Sequence, residues 1–141
     1  MERSRPARSF KRNGLAPCVG SLEAYKAASS PSKHNTVFGS RDEDFLKEIY
    51  AIEKNAEWRR MCLENIYDSD FLENVARNDP NERVRLQAAK NCNKDSLIAW
   101  IKDNDSSPLV RKYARSRYNR LPNSMKFIVD WLSTILRLLL L

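Results

Sequence analysis

Three segments of the chain align with one another at a fixed step of 26 residues. They begin at Trp58, Val84 and Val110, and an arginine follows each of these residues. A repeat of this length is typical of stacked helical units, each of which buries its apolar face against its neighbours. The sequence therefore predicts an all-α fold, a short right-handed α-solenoid of stacked helical pairs with a 26-residue repeat.

Each unit is predicted to contain two short helices, which we call helix A and helix B. In helix A apolar contacts recur at i, i+4 and i+8, along one face of a helix, and the middle position is small enough for a neighbouring helix to approach closely. Helix B is shorter and could not be stable alone. The apolar positions are Trp58/Cys62/Ile66, Val84/Ala88/Cys92 and Val110/Ala114/Tyr118 in helix A, and Phe45/Leu46/Ile49, Phe71/Leu72/Val75 and Leu97/Ile98/Ile101 in helix B.

Capping residues precede both kinds of helix in phase with the repeat. Their side-chain oxygens can accept hydrogen bonds from the free N–H groups of a first helical turn, and the acids also suit the positive end of the helix dipole. The predicted caps are Asn55, Asn81 and Ser107 for helix A, and Asp42-Glu43-Asp44, Asp68-Ser69-Asp70 and Asp95-Ser96 for helix B.

The repeat pattern covers only the middle of the chain. Residues 1–40 are basic, rich in Ser and Pro and poor in large apolar residues, which predicts a disordered tail. Residues 41–122 carry the repeats, and residues 123–141 form a predicted C-terminal helix, largely apolar with one polar stripe. That helix is too short and too charged for a transmembrane span. It either caps the stack, docks on a partner or a membrane surface, or marks the cut edge of a longer solenoid.

The repeat resembles the HEAT-like family of helical-pair solenoids, which have an armadillo-type fold. The resemblance is carried by Asp79 with Val84-Arg85 and Ala88-Ala89, by Asp105 with Val110-Arg111 and Ala114, and more weakly by Glu53 with Trp58-Arg59 and Cys62. In that family a loop acid and an arginine early in the next helix form a ladder along the stack. The resemblance therefore implies a structural ladder of Glu53, Arg59, Asp79, Arg85, Asp105 and Arg111.

Charge is strongly polarised along the repeats. Residues 42–82 hold five Lys or Arg against twelve acids, whereas residues 83–124 hold ten against three. One consequence is possible head-to-tail association of two copies. The basic half also contains a candidate anion or nucleic-acid surface, for which a solvated helix face remains the alternative. Its residues are Lys90, Lys94, Lys112, Arg115, Arg117 and Arg120.

Signals for catalysis are weak, and we assign no catalytic, cofactor or metal residue. The single histidine, His34, falls in the predicted tail, and the chain has no glycine-rich phosphate loop. Cys62 and Cys92 occupy core positions, and the odd count of three cysteines without a signal peptide predicts free thiols and a cytoplasmic location.

The expected function is a non-enzymatic scaffold or adaptor that binds an unknown partner protein. Candidate docking residues are Trp100, Trp131 and Leu138. Two alternatives remain: a nucleic-acid-binding module that uses the basic tail and helix 109–120, and an accessory subunit of an enzyme, as in lyase-type HEAT-like proteins.

Overall fold

The computed structural model describes residues 18–139, apart from the side chains of Ser133, Leu136 and Arg137. All regular secondary structure in this range is helical, so the predicted all-α class is confirmed for the described residues. The helices are α1 (Leu22–Ala27), α2 (Ser30–Gly39), α3 (Glu43–Ile52), α4 (Ala56–Cys62), α5 (Ser69–Asn78), α6 (Glu82–Asn91), α7 (Asp95–Asn104), α8 (Pro108–Asn119) and α9 (Asn123–Leu139), with a 3₁₀ turn at Leu63–Asn65.

Six of these helices start in phase with the sequence pattern. Helices α3, α5 and α7 begin at residues 43, 69 and 95, and α4, α6 and α8 begin at residues 56, 82 and 108. The first set corresponds to the predicted helix B and the second to helix A. The predicted helix starts within residues 41–122 therefore agree with the structure, whereas α4 and α6 end before Ile66 and Cys92, which the pattern assigned to helix A.

Most of the predicted caps form. The side chains of Asn55, Asn81 and Ser107 each accept a hydrogen bond from the backbone N–H two residues later. Asp42 caps α3 by accepting from the N–H of Phe45, and Asp68 caps α5 by accepting from those of Asp70 and Phe71.

The third helix B differs from this prediction. Its N-cap is Lys94, whose side chain makes no capping bond, and Asp95 is already the first helical residue. There the carboxylate still lies at the positive end of the helix dipole, and it is 3.6 Å from the Arg117 guanidinium.

The chain forms two compact units that divide after Ile66. Within the described residues, the first unit contains α1 to α4 and the 3₁₀ turn. Helix α1 packs on α3, and α2 packs on α4. Its core consists of the buried apolar side chains Tyr25, Val37, Leu46, Ile49, Cys62, Leu63 and Ile66.

The prediction of a disordered tail over residues 1–40 is wrong for residues 22–39, which form α1 and α2. Two large side chains account for the difference. Tyr25 and Val37 are almost completely buried, and the Tyr25 hydroxyl donates a hydrogen bond of 2.9 Å to the Glu53 carboxylate. Burial of so few side chains is enough because α1 and α2 have α3 and α4 to pack against. The part of the predicted tail before residue 18 lies outside the described residues.

The second unit contains α5 to α9. Helices α5 and α6 pack as a pair, as do α7 and α8, while α6 also contacts α8 and α9 lies on α7. The small residues of helix A are fully buried, which allows the close helix approach that the sequence predicts. The core side chains include Leu72, Val75, Val84, Ala88, Leu97, Ile98, Ile101, Val110 and Ala114.

One hydrogen-bond motif recurs in the loop before each helix A. The loop acid (Glu53, Asp79 or Asp105) accepts a bond from the backbone N–H two residues later. The arginine six residues after the acid donates from Nη1 to two consecutive backbone carbonyls, that of the acid and that of the next residue. We call this motif the carbonyl clamp, and its arginines are Arg59, Arg85 and Arg111.

Arg85 makes a second connection, which joins two successive helical pairs. Its Nε and Nη2 donate to the two carboxylate oxygens of Asp105 at 2.9 and 3.0 Å. The arginine thus forms a side-chain ion pair with the acid of the following loop, and it also donates to the backbone oxygen of Asp79. Both partners of the ion pair are buried, and the hydrogen bond to Asp105 raises the pKa of Arg85.

Candidate interaction surfaces

Of the residues considered for catalysis, His34 packs against aromatic rings, and Cys62 and Cys92 are buried. The His34 ring stacks on Phe38 and meets the edge of Trp58 at a centroid distance of 6.1 Å, so this residue lies in α2 and not in a disordered tail. Burial raises the pKa of the Cys62 thiol to about 12, and a thiol with such a pKa is a poor nucleophile. Cys92 is also fully buried. Among the described residues no cluster of side chains is suited to hold a metal ion.

Lys94 does not contribute to the predicted basic surface. Its ammonium group donates to Glu73 at 2.7 Å and also to Asp70, and these bonds raise the pKa of the lysine. Burial acts to raise the pKa of Glu73, but hydrogen bonds from Lys94 and Arg77 outweigh burial, and the net pKa is lowered. The charge of Lys94 is therefore compensated by α5.

Arg117 has a positioning role between α6 and α8. Its Nη1 donates to the carbonyls of Ala89 and Cys92 at 3.1 and 2.8 Å, at the end of α6. These carbonyls lack partners within their own helix, and a cation also suits this negative end of the helix dipole. The guanidinium is thereby held in a fixed orientation beside the remaining basic residues.

Several of those basic residues meet in an open cleft of about 380 Å³ between α6 and the end of α8. Lys90 and Arg120 line this cleft together with Tyr113 and the fixed Arg117, and its remaining lining residues are Asn93 and Leu121. No described carboxylate lines it. We call this site the α6–α8 cleft.

The other two predicted cations lie on the α8 surface outside this cleft. At about 100° per residue in an α-helix, Lys112 lies about 100° and Arg115 about 160° from Tyr113 around the helix axis, whereas Lys112 and Arg115 are only about 60° apart. Both side chains are exposed. The candidate surface therefore separates into the α6–α8 cleft and an exposed pair, Lys112 and Arg115, outside it.

Of the three candidate docking residues, Trp100 is partly buried, whereas the other two are exposed. The Arg77 guanidinium lies 4.3 Å from the centre of the Trp100 ring, in a cation–π contact that half-buries the indole. Trp131 and Leu138 are exposed, by 58% and 69%. Sequence reasoning did not single out the other exposed apolar side chains of α9, which are Met125, Phe127, Ile128, Leu132 and Leu139.

Helix α9 contacts α7 and α8 through the polar side chains of Asp130 and Lys126. Asp130 accepts a hydrogen bond from the Tyr118 hydroxyl and lies 3.8 Å from the Lys102 ammonium. The Lys126 ammonium donates to the carbonyl of Asn119 at 3.1 Å. Among the described side chains of α9 only Val129 is buried. The helix thus keeps most of its apolar side chains in solvent, the reverse of the usual orientation of a surface helix.

None of the described helices has both the length and the apolar character needed to cross a membrane. A comparison with protein families finds no matching family model, and comparisons with curated proteins and with solved structures find no significant similarity.

Proposed function

We propose that this chain is a non-enzymatic scaffold of HEAT-like helical repeats, arranged as a short α-solenoid, which binds a partner protein through the apolar side of α9. Two features support the repeat arrangement: the in-phase starts of α3 to α8, and the ion pair by which Arg85 reaches the next loop. The single observation that carries the binding function is the outward orientation of the apolar α9 side chains.

The exposed apolar area of α9 is large for a protein surface. Scaling the exposed fractions of its seven side chains by their full areas gives about 800 Å². The largest apolar patch on a monomeric protein is typically about 300–600 Å², and one side of a standard protein–protein interface buries about 800 Å². The apolar side of α9 therefore has the size of a complete interface.

The spacing of these side chains favours a helix as the bound element. Met125, Ile128, Leu132, Ile135 and Leu139 follow one another at alternating steps of three and four residues. This is the a/d spacing by which two helices interdigitate. Phe127, Trp131 and Leu138 widen the apolar side beyond a narrow seam, and aromatic residues of this kind often dominate binding energy. We expect the partner to present an amphipathic helix.

The test compares wild-type protein with a Trp131→Glu/Leu138→Glu variant. Affinity capture with chemical cross-linking from an extract of the source cells, read by quantitative mass spectrometry, should recover a partner cross-linked to α9. We expect at least tenfold less of it with the variant, because two charges would be buried in an apolar interface. The matched control is Ser124→Glu/Thr134→Glu, which adds the same charge to polar positions of α9 and should keep the partner.

Three results would contradict this proposal. One is equal recovery with both variants while their circular dichroism shows intact helices. The second is flotation of wild-type protein with liposomes in a manner that depends on Trp131, which would assign the apolar side to a membrane surface. The third is a salt-insensitive, Trp131-dependent dimer in sedimentation, which would make a second copy the occupant.

A further inference from the structure

The α6–α8 cleft suggests a ligand of a different kind from the partner of α9. We propose that it binds single-stranded nucleic acid, with phosphates against Lys90 and Arg120 and one base stacked on Tyr113. This binding goes beyond the proposed adaptor function and depends on none of the apolar residues of α9.

The first support is that Lys90 and Arg120, the two exposed cations of the cleft, have no acidic partner among the described residues, whereas Arg117 lies 3.6 Å from Asp95. Nearby Lys94 and Arg85 are both paired with acids. The sequence from Pro108 to Arg120 contains no acid at all. Uncompensated cations that converge on one cleft attract a chain of phosphates and release its counterions.

The second support is the construction of the cleft. Arg117 is held by the carbonyls of Ala89 and Cys92, so one wall is fixed before any ligand binds. Among the exposed cations of α8, Arg120 lines the cleft, whereas Lys112 and Arg115 do not. A preorganised basic wall lowers the ordering cost of binding.

The third support is Tyr113, which lines the cleft and is half-buried there. An aromatic ring beside a row of cations can stack on a base while the cations contact the flanking phosphates. Only an unpaired base exposes its face for such stacking. This combination favours a single strand over a duplex and over a phosphorylated peptide, which has no base to stack.

The experiment is fluorescence anisotropy of the full-length chain with a labelled oligo(dT) of about ten nucleotides, a length within the usual site sizes of single-strand binders. Two phosphate contacts predict a slope of log K against log salt of about −1.4, at about 0.7 per contact. The Lys90→Ala/Arg120→Ala variant should make the slope shallower by about 1.4. Tyr113→Ala should weaken binding about tenfold, whereas Tyr113→Phe keeps the stacking ring and should bind as wild type.

Arg115→Ala is the matched control, because it removes the same charge from the same helix on the side away from the cleft. We expect less than about a twofold change in affinity for it. Trp131→Glu/Leu138→Glu should also bind oligo(dT) as wild type does, which separates this proposal from the adaptor function.

Several outcomes would overturn the proposal. Absence of binding at low salt is one, and an Arg115→Ala effect equal to that of Lys90→Ala is another, since the charge would then act diffusely. Equal binding by Tyr113→Ala and wild type would exclude base stacking. Tighter binding of a duplex or of a phosphorylated peptide than of oligo(dT) would assign the cleft to that ligand.

Discussion

At the residue scale, the spacing between acid and arginine predicts one of the contacts of Arg85 but not the other. The constant spacing of six residues, as between Asp79 and Arg85, predicts that the acid and the arginine interact. In the structure Arg85 donates to the Asp79 carbonyl as part of the carbonyl clamp. The spacing does not indicate that the Arg85 guanidinium pairs with Asp105. That choice depends on how one helical pair lies against the next, which no local pattern specifies.

We expect Asp105→Asn to destabilise the protein by about 3 to 5 kcal/mol, because the Arg85 charge would stay buried without its carboxylate. Chemical denaturation followed by circular dichroism measures this change. Asp103→Asn is the control: its carboxylate is half exposed and pairs with Lys102, so its removal should cost less than about 1 kcal/mol. Equal destabilisation by the two variants would contradict a structural role for the buried ion pair.

At the element scale, the helices with a regular apolar pattern were predicted from the sequence, whereas those with few large apolar residues were not. The apolar positions of α3 to α8 recur in phase, so the existence and the starts of these helices follow from the sequence. Helices α1 and α2 carry one large buried apolar residue each, Tyr25 and Val37, which gives no period to detect. Helix α9 was predicted from Asn123, but its orientation was not, because it depends on tertiary contacts of Asp130: a hydrogen bond from Tyr118 of α8 and an ion pair with Lys102 of α7.

Ala114, the buried small residue of the third helix A, gives a prediction about how closely α8 packs against neighbouring helices. Ala114→Leu should destabilise the protein by about 1 to 3 kcal/mol, because the added atoms have no space between α8 and its neighbours. Thermal unfolding of this variant is to be compared with Lys112→Leu, an exposed change in the same helix that should stay within about 0.5 kcal/mol of wild type. An Ala114→Leu variant as stable as wild type would show that α8 does not have to lie close to its neighbouring helices at this position.

At the scale of the whole molecule, the repeat pattern does not indicate that the chain divides into two compact units. The sequence predicts one continuous repeat region over residues 41–122, whereas the compact units divide after Ile66, between the first and second copies. All three copies carry the same apolar phase, so the pattern has no information about this boundary. The difference arises from helix length, since α4 ends after seven residues in a 3₁₀ turn, and from the contacts of the first copy with α1 and α2.

The division predicts that residues 67–141 fold without the preceding unit. This fragment contains the Arg85–Asp105 ion pair and the core formed by α5 to α8. We expect a helical circular dichroism spectrum and one cooperative thermal transition. A fragment that lacks a cooperative transition would show that the two units depend on each other for folding.

The carbonyl clamp has a consequence for which substitutions its loop can tolerate. In each clamp the arginine contacts the residue after the acid only through that residue's main-chain oxygen. These residues are Lys54, Pro80 and Ser106, whose side chains have nothing in common. The clamp itself therefore sets no requirement on the side chain at Lys54 and Pro80. The Ser106 hydroxyl, by contrast, also accepts a bond from Arg85 Nη2 at 3.2 Å, so a substitution there should be tolerated less well than at the other two positions.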